Sequence, residues 1–153
     1  MTSRTPRKPL RRVLVPIGGN DADEAAIQAA CETARTSKAQ VYVIHVIQVQ
    51  RSLPLDADLV AETRKGEDIL ARAERIGREH EYQVETELLQ SREVGPAIVD
   101  EAVNRGADLI VLGLPYKRRF GEFSLGNTVP YVLKNAPSLV WVLRTPQEPG
   151  GDL

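Results

Sequence analysis

Five short runs rich in apolar residues recur along the chain and predict β-strands. Four of them are nearly continuous, as expected of strands buried on both faces of a sheet, and one alternates between apolar and polar positions. The predicted strands cover residues 13–17, 41–47, 84–89, 108–112 and 139–143.

Helical patterns separate these strands. Asn20 and the acidic residues after it provide a cap and favourable first-turn charges for an alanine-rich helix that runs to about Ser37. A charged helix is predicted from about residue 59 to residue 80, and a short one over residues 128–135. Between them, Gly95-Pro96 begins a helix that Gly106 ends. The residues expected on its inward face are Ile98, Val99, Ala102 and Val103.

This alternation predicts an α/β fold, in which right-handed crossovers connect the strands of a parallel sheet covered by helices on both faces. Ligands of such sheets bind beyond the carboxyl ends of the strands, where the strand order reverses. Gly18-Gly19 follows the first predicted strand, and Gly113 follows the fourth. These two loops would flank one crevice if the two strands are neighbours.

Length and charge limit the classes of function. A chain of 153 residues fits one domain, and a net charge of −1 argues against general nucleic-acid binding. No apolar run approaches the ~20 residues that span a membrane, and the basic start lacks the apolar segment of a signal peptide. We therefore expect a cytoplasmic protein without nucleic-acid or membrane partners. A disordered basic arm over residues 1–10 and a disordered tail over residues 146–153 are predicted to flank a domain of residues 11–145.

Few residues are candidates for catalysis. Cys31 lies in a helical pattern and is interpreted as a small buried residue. His45 lies inside an apolar strand and His80 at a helix end, without the spacing of metal ligands. No residue pattern assigns a catalytic base, so a binding protein is expected rather than an enzyme.

The segment from Gly113 to Thr128 is the strongest indication of a ligand. It links a strand to a helix start, where unpaired N–H groups and the helix dipole favour an anion. Lys117, Arg118 and Arg119 add positive charge. The segment predicts a phosphate site, although glycine also serves ordinary turns from strand to helix.

Several motifs, in their order and spacing, resemble the universal stress protein family over residues 12–144. They are Leu14-Val-Pro-Ile-Gly-Gly-Asn20, His45-Val46, Arg105-Gly-Ala-Asp-Leu-Ile-Val-Leu-Gly113, the loop Gly113-x12-Gly126-Asn-Thr128, and Ala136-Pro-Ser-Leu-Val-Trp-Val-Leu143. The resemblance implies a single-domain three-layer sandwich with a five-stranded parallel sheet in the order 3-2-1-4-5, of the Rossmann-like type found in adenine nucleotide alpha hydrolases.

The resemblance also implies a site for ATP or another adenine nucleotide. Residues in base-contacting positions are Pro16, Val46 and Leu112, and residues in phosphate-contacting positions are Gly113, Gly126, Asn127 and Thr128, with Lys117 or Arg118 assisting. Gly18 completes the implied site, at the position where ATP-binding members have Asp.

Two further positions depart from the family pattern. Tyr116 replaces the second loop glycine and is expected to carry its side chain into space where the family's backbone approaches phosphate. Asn127 replaces a Ser or Thr, and it can still cap the helix and donate to phosphate through its amide.

The function implied is a nucleotide-responsive binding module of the stress response, a homodimer formed through the last strand, residues 139–143. Alternatives remain open. One is a nucleotide-independent dimeric interaction protein with a degenerate pocket, and another is slow ATP hydrolysis that depends on Mg²⁺ and on Asn127 or Thr128. The loop Gly18-Gly-Asn-Asp21 also resembles that of ATP pyrophosphatases, but Ile17 and Ala22 replace its two serines.

Overall fold

A computed structural model describes residues 9–116, 118–119, 122–123 and 125–147. The strands are β1 (Arg12–Pro16), β2 (Gln40–Gln48), β3 (Glu85–Ser91), β4 (Leu109–Leu114), β5 (Arg118–Arg119), β6 (Glu122–Phe123) and β7 (Leu139–Arg144). The helices are α1 (Ala22–Ser37), α2 (Val60–Glu79), α3 (Val94–Arg105) and α4 (Thr128–Asn135).

Five strands form one parallel sheet in the order β3-β2-β1-β4-β7. This confirms the order 3-2-1-4-5 expected for the five predicted strands. The strands β5 and β6 form a separate antiparallel pair, which the hydrophobic pattern did not predict because each is only two residues long. Since β1 and β4 are neighbours, the loops that follow them lie side by side at the carboxyl edge of the sheet.

The core lies in two layers, one on each face of the sheet. Val13 and Val15 of β1 point into the layer with α1 and α2, whereas Leu14 points into the layer with α3 and α4. All three are fully buried, in keeping with a strand at the centre of a three-layer fold. The prediction for α3 was partly wrong: Ile98 and Ala102 are buried, but Val103 is 58% exposed. Because successive helical residues are about 100° apart, Val103 lies beyond the narrow face that Ile98 and Ala102 define.

An aspartate fastens the amino end of β1 to the neighbouring strand. The carboxylate of Asp108, just before β4, accepts hydrogen bonds from the N–H groups of Arg11 and Arg12 at 2.8 and 2.9 Å. This contact fixes where β1 begins relative to β4.

Within the described part of the chain, no helix combines the length and the apolar character needed to cross a membrane.

Candidate functional site

A cleft of ≈ 420 Å³ opens where β1, β2 and β4 end and α4 begins. Its volume falls in the range of small-molecule sites, and its position agrees with the rule that parallel sheets bind ligands at their carboxyl edge. The cleft is lined by Pro16, Ile17, Gly18, Asn20, His45, Val46, Gln48, Val94, Ile98, Leu112, Gly113, Leu114, Pro115, Leu125, Gly126, Asn127, Thr128 and Val129.

The structure brings most of the predicted site residues to this cleft. The predicted residues that line it are Pro16, Gly18, Val46, Leu112, Gly113, Gly126, Asn127 and Thr128. Lys117 lies outside the described residues. Arg118 is described only in its backbone, as part of β5.

The three residues predicted to contact a base come from neighbouring strands. Pro16 ends β1, Val46 lies near the end of β2, and Leu112 lies near the end of β4. Because β1 pairs with both β2 and β4, the strand order places these apolar side chains in adjacent rows. They provide an apolar surface of the kind that a planar ring covers.

Gly113, near the end of β4, and Gly126, in the turn before α4, have different physical roles. A Cβ added at Gly113 would lie 2.5 Å from the carbonyl oxygen of Ala22, so a side chain there would collide with the start of α1. A Cβ added at Gly126 would meet nothing within 4 Å, but the φ of +69° is one that glycine adopts without strain. Gly113 thus permits close packing of β4 on α1, whereas Gly126 permits a turn into α4.

Asn127 occupies the N-cap position of α4 but does not cap the helix with its side chain. Among the described residues its side chain accepts no hydrogen bond from the N–H groups of the first turn, and that turn contains no acidic residue. The expected capping role is therefore wrong, because the side chain is exposed and borders the cleft instead. Asn127 and the first residues of α4, at the positive end of the helix dipole, line the same cleft.

The first loop has an internal anion. The carboxylate of Asp23 accepts hydrogen bonds from the N–H groups of Gly18, Gly19 and Asn20 at 3.2, 2.8 and 3.1 Å. Burial raises the pKa of Asp23, and the hydrogen bonds from Gly18, Gly19 and Asn20 oppose that rise, as does the charge of Arg72. The N–H groups of this loop are thus engaged within the chain, and the predicted phosphate contacts all lie between the end of β4 and the start of α4.

His45 connects β2 to the end of β1. Its Nδ1 lies 2.8 Å from the carbonyl oxygen of Ile17, and since a carbonyl only accepts, Nδ1 carries the proton that it donates. His45 is partly buried and is one of the residues that line the cleft. This hydrogen bond agrees with the interpretation of His45 as a satisfied histidine of the strand.

Tyr116 does not point where the sequence led us to expect. Its N–H donates to Oγ1 of Thr145 at 3.1 Å, and the guanidinium of Arg144 lies over its ring, 5.1 Å from the ring centroid. The cleft is lined by Pro115 but not by Tyr116. The expectation that this side chain enters phosphate space was wrong, because the ring packs with residues at the end of β7.

Sequence reasoning missed three polar residues of the cleft, Asn20, His45 and Gln48. Asn20 follows β1 and Gln48 ends β2 at the carboxyl edge, a position that could have signalled both. It also missed Val94 and Ile98, which α3 contributes and which a helical pattern assigns only to the core.

The remaining groups in the described part of the chain show no reactive arrangement. Among the described residues there is no cluster of three or more His, Cys, Asp or Glu side chains that could hold a metal ion. Cys31 is fully buried, and burial raises the pKa of its thiol to about 11, in agreement with its interpretation as a core residue.

The fold and the cleft together define a three-layer α/β protein with a cleft at the carboxyl edge of a Rossmann-like sheet. The sequence model of the universal stress protein family matches residues 9–144, and the chain belongs to this family. Universal stress protein MJ0531 of Methanocaldococcus jannaschii is 29% identical over 144 residues, which cover 90% of this chain and 84% of that protein.

Solved structures of this family share the fold. Universal stress protein UspA from Lactobacillus plantarum is 25% identical with a TM-score of 0.75, covering 90% of this chain and 100% of that one. The universal stress protein of Archaeoglobus fulgidus in complex with dAMP is 24% identical with a TM-score of 0.69, covering 88% and 98%. A universal stress protein in complex with cAMP is 18% identical with a TM-score of 0.66, covering 89% and 98%.

Proposed function

We propose that this protein binds an adenine nucleotide in the cleft and acts as a nucleotide-responsive module of the stress response. The observation that carries the proposal is the meeting of two unlike surfaces in one cleft. Pro16, Val46 and Leu112 provide an apolar surface, and the turn at Gly126 leads into the start of α4. An adenine nucleotide has the same division into a flat ring and an anionic phosphate.

The proposed orientation follows from the two loops. Asp23 already occupies the N–H groups of the first loop, and a carboxylate at that position repels a phosphate. At the second loop, the N–H groups at the start of α4 and the amide of Asn127 attract one. We therefore place the phosphate at Gly113, Gly126, Asn127 and Thr128, and the base on the apolar surface. Lys117 or Arg118 is proposed to assist.

The relatives support a nucleotide as the ligand. Two structures that share the fold are complexes with dAMP and cAMP, and both ligands are adenine nucleotides. We propose binding rather than catalysis, because no described group is arranged as a catalytic base. A cytoplasmic location is also part of the proposal.

A homodimer formed through β7 is part of the proposal. In the described sheet β7 pairs with β4 on one side only, so its other edge offers unpaired backbone groups. Its side chains are apolar from Leu139 to Leu143, and Leu139 is 47% exposed. An apolar edge strand of this kind pairs readily with a second copy of itself.

Calorimetric titration with AMP, ADP, ATP, cAMP and adenosine tests the nucleotide proposal. The decisive variant is Thr128→Glu, which places a carboxylate at the start of α4. It should weaken AMP binding by about 5-fold to about 1,000-fold, because like charges about 4 Å apart repel by about 1 to 4 kcal/mol depending on the dielectric. The same carboxylate is favourable at a helix N-terminus, so the melting temperature should not fall.

Thr63→Glu is the matched control, since it makes the same substitution in the first turn of α2, outside the cleft. It should leave AMP binding unchanged, and adenosine should bind Thr128→Glu as it binds the parent protein. Absence of any binding heat at millimolar nucleotide would contradict the proposal.

One observation favours the alternative of a nucleotide-independent interaction protein. Gly18 stands in the cleft where ATP-binding members have Asp, so a hydrogen-bond acceptor is missing from the wall beside the base. On this alternative the dimer persists and none of the nucleotides binds.

A further inference from the structure

The rim of the cleft on the β1 side is a glycine-rich turn with little intrinsic rigidity. Gly18 and Asn20 line the cleft, and Gly19 between them has a φ of +82°. Two adjacent glycines give this segment many accessible backbone conformations. Something outside the segment must therefore select the shape that the cleft requires.

Asp23, in the first turn of α1, holds the segment in one conformation. It is 6% exposed, and its two carboxylate oxygens together accept the three successive N–H groups of the turn. Asn20 adds a local bond, from the N–H of Ala22 to its Oδ1 at 2.9 Å. Charge-assisted hydrogen bonds from a rigid helix are strong enough to fix a short glycine turn.

We propose that Asp23 is a positioning residue of the cleft, whose carboxylate gathers the N–H groups of Gly18, Gly19 and Asn20 and holds the rim in the shape that receives the nucleotide. The proposal rests on the proposed function for its ligand. It assigns to Asp23 no contact with that ligand, since Asp23 acts through the backbone of the turn.

A cavity of ≈ 240 Å³ beside Asp23 gives the turn space to change shape. It is lined by Gly19 and Asp23 and, from α2, by Lys65, Asp68, Ile69 and Arg72, among others. The charged residues that line this cavity with Asp23 are Lys65, Asp68 and Arg72 of α2, and Glu24 of α1 lies 3.9 Å from Arg72. When the carboxylate is neutralised, this cavity allows the turn to relax away from the cleft.

The order of the turn is predicted to depend on the charge of Asp23. A residue that only filled space would show no such dependence. A carboxylate accepts from three donors, whereas an amide has one oxygen and turns an NH₂ group toward the remaining N–H donors. Protonation of Asp23 removes acceptor capacity in the same way. Because burial raises the pKa of Asp23, the turn should loosen as the pH falls toward values that still leave exposed aspartates ionised.

The test compares the parent protein with Asp23→Asn and with Asp68→Asn, a control that removes another carboxylate from the same cavity. Amide resonances of Gly18, Gly19 and Asn20 are followed by NMR from neutral pH down through the range in which exposed aspartates titrate, and AMP affinity is measured over the same range. In the parent and in Asp68→Asn the three amide protons should shift together with one midpoint. In Asp23→Asn that shared titration should be absent, and AMP should bind about tenfold more weakly at the higher pH.

The ratio of parent to Asp23→Asn affinity should fall toward one as the pH decreases, and the titration of AMP itself cancels in this ratio. Equal AMP affinity of the parent and Asp23→Asn at the higher pH would overturn the inference, as would three amides that titrate independently. The titration of the parent needs no variant, so it decides the matter even if Asp23→Asn fails to fold. A parent that binds no nucleotide contradicts the proposed function, and the amide titration then separately decides whether Asp23 orders the turn.

Discussion

Gly113 lies near the end of β4 and Gly126 lies in the turn before α4. Both line the cleft, yet replacing each with alanine should destabilise the protein for a different reason. At Gly113 the new Cβ would lie 2.5 Å from the carbonyl oxygen of Ala22 and 3.0 Å from its Cβ. At Gly126 the new Cβ would lie in open space, and only the φ of +69° opposes it.

The magnitudes follow from these two causes. Overpacking costs about 1 to 3 kcal/mol, and Gly113→Ala should approach the upper end because Ala22 and the β4 residues Leu109 to Val111 are fully buried and cannot move aside. Such a loss lowers the melting temperature of a chain of this length by about 2 to 4 °C per kcal/mol. A left-handed conformation costs alanine about 1 to 2 kcal/mol, so Gly126→Ala should lose less.

Substitution with asparagine distinguishes the two causes, because the difference in stability between the asparagine and alanine variants should have opposite signs at the two positions. It tolerates the left-handed region better than alanine, so Gly126→Asn should be more stable than Gly126→Ala. At Gly113 the larger side chain worsens the collision, and Gly113→Asn should be less stable than Gly113→Ala. Thermal and urea unfolding of the four variants, followed by circular dichroism, measures the order of stability of alanine and asparagine at each position. The same order of alanine and asparagine at both positions would refute the distinction between packing and conformation.

Two further predictions concern the cleft and the edge of the sheet. Gly18→Asp should tighten adenosine binding about tenfold or more, because it supplies a charged acceptor at the cleft wall. A Cβ there would meet only the Asn20 side chain, at 3.3 Å. Calorimetry compares it with Gly18→Asn as the uncharged control, and equal affinity of the two variants would contradict this reasoning. Light scattering during gel filtration should show that the parent protein is a dimer and that Val142→Lys is a monomer, since a charge on an edge strand opposes pairing. The control Val103→Lys changes an exposed valine of α3 and should remain dimeric. Dissociation of both variants, or of neither, would argue against β7 as the interface.

The sequence was sufficient to predict the strands of the sheet because each central strand is apolar without interruption and helical patterns separate the strands. Gly106, for example, ends α3 with a φ of +64°, as its position in the pattern predicted. The resemblance to a known family then supplied the strand order, which periodicity does not contain. Val103 was placed wrongly because an apolar residue next to a narrow helix face looks the same in sequence as one within it.

The cleft was less predictable, since its residues depend on contacts between distant segments. Tyr116 was expected beside the ligand, but its ring is drawn away by Arg144, a residue 28 positions later in the chain that only the folded sheet brings near. The three hydrogen bonds of Asp23 were equally hidden, because an acidic residue in a first helical turn is ordinarily assigned to the helix dipole. Gln48 has no periodic signal and is recognisable only by its place at the end of β2.

Asp108 and Asp23 together have a consequence for the mechanics of the sheet. One carboxylate holds the backbone just before and at the start of β1, and the other holds the turn just after it. A slip of β1 by one residue would exchange Val13 and Val15 with Leu14 between the two core layers, and it would break ionic hydrogen bonds at both ends of the strand at once. The two carboxylates thus fix the position of β1 along its own axis, and with it the position of Pro16 in the cleft.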